Sequence, residues 1–283
     1  MNLNSTALLR VKDLSVRYGT GWRARTAKPA VSGVSFEIAP GQTLGIVGES
    51  GSGKSTTGKA VLRLVQAASG NISFDGTEVT ALGKKTPLSY RRDVQSIFQD
   101  PGASLNPRQP VSQGLHAVLA RHRVGSRAER KQQVADAFEK VGLAPVHLHR
   151  YPGELSGGQN QRVAIARALV LQPRLVVCDE AVSALDLSTQ SQIINLLAEL
   201  QESTGVSYLF IAHDLGIVRH ISHRVAVMNA GQLVEQATTE QLFEQPEHPY
   251  TRALLAARPA ADPYHREERR LQRANAFASS ALA

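Results

Sequence analysis

The sequence predicts an α/β protein with a mainly parallel core sheet, and three observations lead to this fold class. The stretch Gly48–Thr56, GESGSGKST, fits the phosphate-loop pattern G-x-x-x-x-G-K-[ST] in full. An apolar run at 42–47 precedes it and a helical pattern at 57–65 follows it, which is the strand–loop–helix context that this pattern requires. After residue 155, short apolar strands alternate with helical stretches, as in a parallel sheet covered by helices. These strands are predicted at 174–178, 207–212 and 224–228.

Two further regions flank this predicted core. Residues 8–18 and 31–38 alternate in part between apolar and polar side chains, and 70–76 is a short strand pattern between glycines. From about 88 to 150 the pattern becomes largely helical. We therefore expect an antiparallel β subdomain and a helical subdomain, the latter over about residues 88–170.

Length and composition exclude several classes of protein. The 283 residues, 42% of them apolar, are enough for a large core in one or two closely joined domains. No stretch of 18 or more apolar residues occurs, and residues 1–6 lack the basic and apolar regions of a signal peptide. We therefore expect a cytoplasmic protein. The single cysteine, Cys178, lies in an apolar run, which indicates a small core residue rather than a disulfide or an all-cysteine metal site.

The charge balance is basic, with 32 Lys and Arg against 24 Asp and Glu, a net charge of +8. A basic protein can bind nucleic acid or an anionic membrane surface. Here the positive charges are scattered, and few aromatic residues lie among them. We interpret them as a solvated surface and expect no nucleic-acid partner.

The phosphate loop predicts a nucleoside-triphosphate site. Its glycines let backbone N–H groups turn towards phosphate oxygens, and the helix N-terminus adds a partial positive charge. Lys54 can reach the β- and γ-phosphates, and the Ser55 hydroxyl can hold Mg²⁺. The predicted nucleotide ligands in this loop are Gly48, Ser50, Gly51, Gly53, Lys54, Ser55 and Thr56.

Two acidic residues, Asp179 and Glu180, end an apolar strand. The carboxyl ends of parallel strands face the ligand crevice of an open α/β sheet. Asp179 is therefore a candidate Mg²⁺ ligand, and Glu180 a candidate base that polarises the attacking water. Two acids at a surface turn are the alternative, and the phosphate loop favours the catalytic interpretation.

A second anion-binding element is predicted at Ser156–Gln159, just before a helical pattern at 161–170. The alternative is a simple Ser N-cap with flexible glycines. Together with the phosphate loop, the stretch Leu155–Gln159 resembles the signature motif of ATP-binding cassette (ABC) ATPases. The resemblance implies that Ser156, Gly157, Gly158 and Gln159 close over ATP held by the phosphate loop of another subunit.

Other elements of that family follow in order along the chain. Gln99 resembles the Q-loop glutamine, which contacts Mg²⁺ and water. Asp186, in SALD, resembles the D-loop residue that touches the opposite subunit. His213 resembles the switch histidine, which contacts the γ-phosphate and the catalytic carboxylate. Tyr18 resembles the aromatic residue that stacks on adenine, with Trp22 as a nearby competitor. The resemblance thus makes Glu180, His213, Lys54 and Gln99 the catalytic set, and Ser55, Gln99 and Asp179 the metal ligands.

Two stretches indicate a subgroup. Residues 98–108 and 248–255 (FQDPGASLNPR and HPYTRALL) resemble the peptide/nickel importer group. The resemblance implies an ABC ATPase domain at 1–245 and a C-terminal extension and tail at 246–283. It also implies a second, different ATPase subunit, two membrane permeases, an external binding protein and a place on the cytoplasmic face of the inner membrane. Some partner subunits carry a cysteine-ligated iron–sulfur cluster near the C-terminus, and no cysteine follows Cys178 here.

The expected function is ATP hydrolysis that powers uptake of dipeptides or oligopeptides, with ATP and Mg²⁺ as cofactors. Ala181 stands where Pro often follows the catalytic Glu, and Asn160 where Arg, Lys or Gln often follows the signature. The nickel branch of the group can show Ala at the position of Ala181. Import of nickel or another small solute is therefore the alternative to peptide uptake. A soluble ABC ATPase acting on nucleic acid and an exporter are less favoured readings.

Overall fold

The computed structural model describes residues 7–19, 28–83 and 85–257. The strands in these ranges are β1 (Leu9–Val16), β2 (Val31–Ile38), β3 (Thr43–Val47), β4 (Ser69–Phe74), β5 (Thr77–Glu78), β6 (Val94–Phe98), β7 (Leu175–Asp179), β8 (Ser207–Ile211), β9 (Arg224–Asn229) and β10 (Gln232–Thr238). The helices are α1 (Lys54–Val61), α2 (Leu88–Asp93), α3 (Pro101–Ser104), α4 (Val111–Arg121), α5 (Arg127–Lys140), α6 (Gly157–Leu169), α7 (Leu187–Thr204), α8 (Leu215–Ile221), α9 (Thr239–Glu244) and α10 (Pro249–Ala256). Two 3₁₀ turns, Pro145–His149 and Pro152–Glu154, lie between α5 and α6.

The strands form two sheets. The larger has the order β10-β9-β3-β8-β7-β6, and all its neighbours are parallel except the β9–β10 pair. The smaller has the order β2-β1-β4-β5 and is antiparallel. The predicted α/β fold, with a mainly parallel core sheet and an antiparallel β layer, is therefore confirmed.

Register in the parallel sheet brings several strand ends to one edge. Asp179 at the end of β7 pairs with Ile211 at the end of β8 and with Phe98 at the end of β6. Val47, at the end of β3, pairs with Val227 of β9. The loops that leave these strands therefore lie beside one another, as expected for the ligand edge of an α/β sheet.

The expectation of a largely helical segment from residue 88 is wrong at Val94–Phe98. These residues form β6, which runs parallel to β7 with Val94 opposite Leu175. Val94 and Ile97 are buried. Five residues are too short to show a period of their own, so pairing with β7 decides their state.

The helix after the phosphate loop also differs from its predicted bounds. It begins at Lys54 rather than at 57, directly after Gly53, and ends at Val61 rather than at 65. Arg63 has a left-handed φ of 57°, which a helix cannot continue through. Lys54 and Ser55 therefore lie in the first turn of α1.

Two apolar clusters cover the faces of the parallel sheet. Along β7, Val176 and Cys178 pack with the cluster that includes α4 to α7, whereas Leu175 and Val177 pack with the cluster beneath the antiparallel sheet. This alternation follows from the two-residue period of a strand. Cys178 is fully buried, as expected of a core residue, and burial raises the pKa of its thiol.

Within the described segments, no helix combines the length and the apolarity that crossing a membrane requires.

Candidate functional site

The phosphate loop joins β3 to α1 and holds its own lysine. Lys54 is buried, and its Nζ donates hydrogen bonds of 2.8 Å to the carbonyl oxygens of both Gly48 and Glu49. Burial lowers the pKa of Lys54, while the negative charges of Glu180, Asp179 and Glu49 act to raise it. The ammonium is thus aimed along the loop, where phosphate oxygens would replace the carbonyls.

Two glycines of the loop are required by close backbone contacts. Gly48 has φ 151°, and a Cβ there would lie 2.1 Å from the carbonyl oxygen of Met228. Gly53 has φ 105°, and its Cβ would lie 2.5 Å from the carbonyl oxygen of Ala30. The Gly231 N–H also donates to the Ser52 carbonyl at 2.9 Å. The β9–β10 turn and the start of β2 therefore support the loop from behind.

Ser55 and Asp179 form the candidate metal site. Ser55 Oγ donates a hydrogen bond of 2.7 Å to Asp179 Oδ1. Burial raises the pKa of Asp179, and the Ser55 hydrogen bond and the charges of Lys59 and Lys54 oppose that change. A hydroxyl and a carboxylate are hard oxygen donors, so the pair fits Mg²⁺.

Glu180 and His213 share one pocket at the same edge of the sheet, whose wall also includes Phe210. The Glu180 N–H donates to the Ile211 carbonyl at 2.9 Å. The Glu180 carbonyl accepts from the N–H and the hydroxyl of Ser183, each at 3.1 Å. Its φ is 51°, a left-handed value that is uncommon for a residue with a side chain. These bonds fix the backbone of Glu180 in a strained turn beside the phosphate loop.

Gln99 and Tyr18 lie at two sides of this region. Gln99 directly follows β6, whose last residue pairs with Asp179. Tyr18 is half exposed, and its hydroxyl lies 3.1 Å from Thr56 Oγ1 at the start of α1. Its competitor Trp22 lies outside the described residues.

The stretch Ser156–Gln159, predicted to bind an anion, forms a capping box at the start of α6. Ser156 Oγ accepts from the Gln159 N–H at 3.3 Å, and Gln159 Oε1 accepts from the Ser156 N–H at 2.9 Å. Gly158 lies so close to α7 that a Cβ would be 2.7 Å from Thr189 Cγ2. Ser156 is therefore an N-cap, as in the alternative interpretation of this stretch, and the glycine amides of Gly157 and Gly158 lie in the first turn directly after it.

Asp186 caps α7. Its carboxylate accepts from Ser188 Oγ at 2.7 Å, from the Thr189 N–H at 2.9 Å and from Thr189 Oγ1 at 2.8 Å. These bonds hold the pKa of Asp186 well below its usual range. This carboxylate lies at the helix end next to Gly158.

The structure brings the predicted site residues into two groups. The first group surrounds one edge of the parallel sheet and consists of the phosphate loop, Asp179, Glu180, His213, Gln99 and Tyr18. Ser156–Gln159 and Asp186 lie together at the adjacent ends of α6 and α7. Among the described residues, no hydrogen bond joins Ser156–Gln159 to Gly48–Thr56.

Two residues near these groups escaped sequence reasoning. The Glu49 N–H donates to the hydroxyl of Tyr250 in α10 at 3.2 Å. Gln159 Nε2 lies 3.2 Å from His147 Nε2. The HPYT stretch that contains Tyr250 was visible as a motif, but nothing in it indicated the phosphate loop, and His147 belongs to no motif.

These features define the class of protein as a phosphate-loop nucleotide-binding protein with a second glycine-rich helix N-terminus. A family described as ABC transporter matches residues 31–183, and the family described as oligopeptide/dipeptide transporter, C-terminal region, matches residues 234–280. The chain belongs to the ABC transporter family.

Its curated relatives include import proteins. The chain is 51% identical over 270 residues to the glutathione import ATP-binding protein GsiA of Salmonella typhimurium, and 50% identical over 268 residues to GsiA of Escherichia coli O157:H7. Each alignment covers 93% of this chain and 43% of the relative. The chain thus spans less than half the length of these relatives.

Solved structures give the same family. The ATP-binding cassette MJ0796, in a dimeric post-hydrolysis state with ADP and Pi, aligns with a TM-score of 0.72 and 28% identity, over 82% of this chain and 98% of that chain. The protein cbiO1 of Clostridium perfringens, part of the transporter complex cbiONQ, aligns with a TM-score of 0.74 and 28% identity, over 84% and 91%.

Proposed function

We propose that this chain hydrolyses ATP and thereby powers the uptake of dipeptides or oligopeptides through a membrane permease. The observation that carries the proposal is the bond between Ser55 in the phosphate loop and Asp179, beside the pocket of Glu180 and His213. The match to an oligopeptide/dipeptide transporter region supports a peptide as cargo. Glutathione, named for the relatives, is itself a short peptide and belongs to this class.

ATP binds with its phosphates in the loop Gly48–Thr56 and its adenine on the exposed ring of Tyr18. Lys54 exchanges loop carbonyls for the β- and γ-phosphate oxygens. Ser55, Asp179 and Gln99 would hold Mg²⁺, which when bound neutralises charge on the phosphates. Both hydroxyl and carboxylate donors of this set already lie within hydrogen-bonding distance of each other.

Glu180 acts as the base that orients and polarises the attacking water, and His213 contacts the γ-phosphate. The strained, hydrogen-bonded backbone of Glu180 supports this role because it fixes where the carboxylate leaves the sheet. His213 follows β8, the next strand, and lines the same pocket.

The chain works as one of two ATPase subunits, the second a different chain. Ser156–Gln159 and Asp186 then serve the ATP of the partner subunit. The separation of these residues from the chain's own phosphate loop supports this arrangement. Within this chain we propose two parts. The ATPase domain spans 1–245 and contains a helical subdomain at about 88–170, and an extension follows at 246–283.

The helical subdomain docks on two permease subunits at the cytoplasmic face of the inner membrane, and an external binding protein delivers the cargo. Gln99 directly follows β6, near the N-terminal boundary of this subdomain, so occupancy of the ATP site can change the orientation of the subdomain. Import of nickel or another small solute by the same machinery is the second candidate, favoured by Ala181 after Glu180.

Uptake by a strain that lacks this chain tests the proposal. Labelled glutathione, a labelled dipeptide, a longer labelled peptide and labelled nickel are compared with the parent strain. We expect loss of a peptide, restored by the native chain and by Lys12→Ala, a change of an exposed lysine on β1, but not by Lys54→Ala. Loss of nickel uptake alone would move the cargo to the second candidate. Unchanged uptake of all four would overturn import of these cargoes.

A further inference from the structure

The residue that follows the first glycine of the phosphate loop is held from two sides. The Glu49 carbonyl accepts from Lys54 Nζ at 2.8 Å, and the Glu49 N–H donates to the Tyr250 hydroxyl at 3.2 Å. Tyr250 lies in α10, 201 positions further along the chain. A helix of the C-terminal segment therefore contacts the backbone of the nucleotide site.

Tyr250 is itself fixed in place. Its ring packs against the main apolar cluster of the parallel sheet. Its backbone N–H donates to His248 Nδ1 at 3.1 Å, which caps the helix. The next residue, Thr251, is fully buried. The hydroxyl therefore reaches the loop from a packed side chain and not from a mobile one.

Glu235 of β10 ties the start of α10 to the sheet. Its two carboxylate oxygens accept from the backbone N–H groups of Glu247 at 2.8 Å and His248 at 3.0 Å. Burial acts to raise the pKa of Glu235, yet the nearby Thr251 side chain and the backbone hydrogen bonds from Glu247 and His248 hold it below its ordinary value. A continuous set of contacts therefore runs from β10 through Glu235 and Tyr250 to Glu49.

We propose that Tyr250 is a positioning residue for the phosphate loop, through which the segment from β10 to α10 sets the affinity for nucleotide. The inference rests on the proposed ATP site. Lys54 must give up loop carbonyls when its ammonium turns to the phosphates, and Glu49 then loses one of its two partners. Tyr250 keeps the loop start in its binding conformation during that exchange, so less freedom is lost on binding.

The contact also works in the opposite direction, because coupling between two sites is reciprocal. If docking of α10 favours ATP, then ATP favours docking of α10. We therefore expect ATP to slow amide hydrogen exchange in Pro249–Ala256 of the full chain. The same experiment on Tyr250→Phe should show a smaller effect of ATP.

Tyr250→Phe is the main test, because it removes the hydroxyl and keeps the packed ring. Binding of ATP and of ADP to the full chain is measured, together with KM and kcat of the assembled ATPase. We expect both dissociation constants and KM to rise about threefold to tenfold, the range for loss of one hydrogen bond. The kcat at saturating ATP should stay unchanged, and the melting temperature of the nucleotide-free chain should fall only slightly, because the lost hydrogen bond is exposed to water.

Tyr208→Phe is the matched control. It also deletes a tyrosine hydroxyl, one that donates to the Leu197 carbonyl in the core at 3.1 Å, far from the loop. It should lower the melting temperature and leave nucleotide affinity unchanged. A purely structural role for Tyr250 predicts the same pattern for Tyr250→Phe and would overturn the proposal.

Glu235→Ala tests the route of the coupling. It releases the start of α10 while Tyr250 remains, so it should weaken nucleotide binding as well. In the double variant with Tyr250→Phe the two effects should fall short of additive, because both act through the Glu49 contact. Full additivity would overturn the route through Glu235.

If the native chain fails to bind ATP, the proposed function fails with this inference, whereas equal affinity of native chain and Tyr250→Phe overturns this inference alone.

Discussion

Ser55 Oγ donates a 2.7 Å hydrogen bond to Asp179 Oδ1, and this bond joins the first turn of α1 to the carboxyl end of β7. The two groups are separated by 124 positions in the sequence. Each is a hard oxygen donor, and Ser55 belongs to the loop in which we propose that the phosphates of a nucleotide bind. The edge of the sheet thus brings two of the three candidate metal ligands into contact.

Asp179→Asn should separate function from stability. Burial disfavours the charged carboxylate, and the raised pKa of Asp179 reflects that cost. Asn keeps an oxygen that can accept from Ser55 but carries no charge. We expect the nucleotide-free variant to unfold with a free energy equal to or above that of the native chain, while Mg²⁺-dependent ATP hydrolysis falls by about two orders of magnitude or more. Urea denaturation and phosphate release measure the two effects.

The same variant has a predicted pH dependence. A carboxyl whose folded pKa is raised carries no penalty while it is protonated in both states, and the penalty grows as pH rises through its ordinary and then its folded pKa. The native chain should therefore lose stability relative to Asp179→Asn as the pH rises above about 4, the ordinary pKa of an aspartate. An advantage of the native chain that grows with pH would contradict this interpretation.

Glu180→Gln should abolish turnover and leave ATP binding intact. The amide has the size and the acceptor oxygen of the carboxylate, but it cannot take a proton from water. We expect turnover to fall by at least about a hundredfold, the usual contribution of a general base, with an unchanged dissociation constant for ATP. Glu202→Gln, an exposed change on α7, is the control and should behave as the native chain does. Normal turnover in Glu180→Gln would remove Glu180 as the base.

The sequence predicted those parts of the fold whose conformation is determined by residues close together in the chain. Gly48–Thr56 determines its own conformation through glycines at left-handed φ values, and the buried strands around it are continuous apolar runs. By contrast, the five residues of β6 carry too little pattern to predict a strand. They form one because they pair with β7. The Tyr250–Glu49 contact spans 201 positions and depends on the path of β10 and α10. Such contacts follow from topology, and a motif cannot predict them.

The left-handed glycines of the loop give a graded stability prediction. At Gly48 an added Cβ would meet the Met228 carbonyl at 2.1 Å, whereas at Gly51, with φ 78°, nothing lies within 4 Å. Gly51→Ala should therefore cost only the backbone strain, about 1 kcal/mol. Gly48→Ala adds a backbone clash that cannot relax locally, and we expect about 3 kcal/mol or more. Urea denaturation of both nucleotide-free variants measures the difference, and equal costs would mean that the Met228 carbonyl of β9 does not restrict the loop at Gly48.

His147 should act on the second anion element without touching the chain's own ATP. Its Nδ1 lies 3.1 Å from the Ala144 carbonyl, so Nδ1 carries the proton and Nε2 accepts from Gln159 Nε2 at 3.2 Å. Gln159 Oε1 then faces the Ser156 N–H. His147 therefore fixes which way the Gln159 amide points, and with it the capping box at the start of α6.

His147→Ala removes that acceptor and frees the amide to rotate. We expect ATP binding to the chain's own phosphate loop to be unchanged, because Ser156–Gln159 serves the partner subunit in the proposed function. Turnover of the assembled transporter at saturating ATP should fall about twofold to tenfold, as for loss of one hydrogen bond. His147→Asn, whose amide oxygen can still accept, should recover part of it. His149→Ala, an exposed change in the same turn, is the matched control. A loss of ATP affinity in His147→Ala that matches its loss of turnover would instead connect His147 to the chain's own ATP site and contradict the assignment of the second element to the partner's nucleotide.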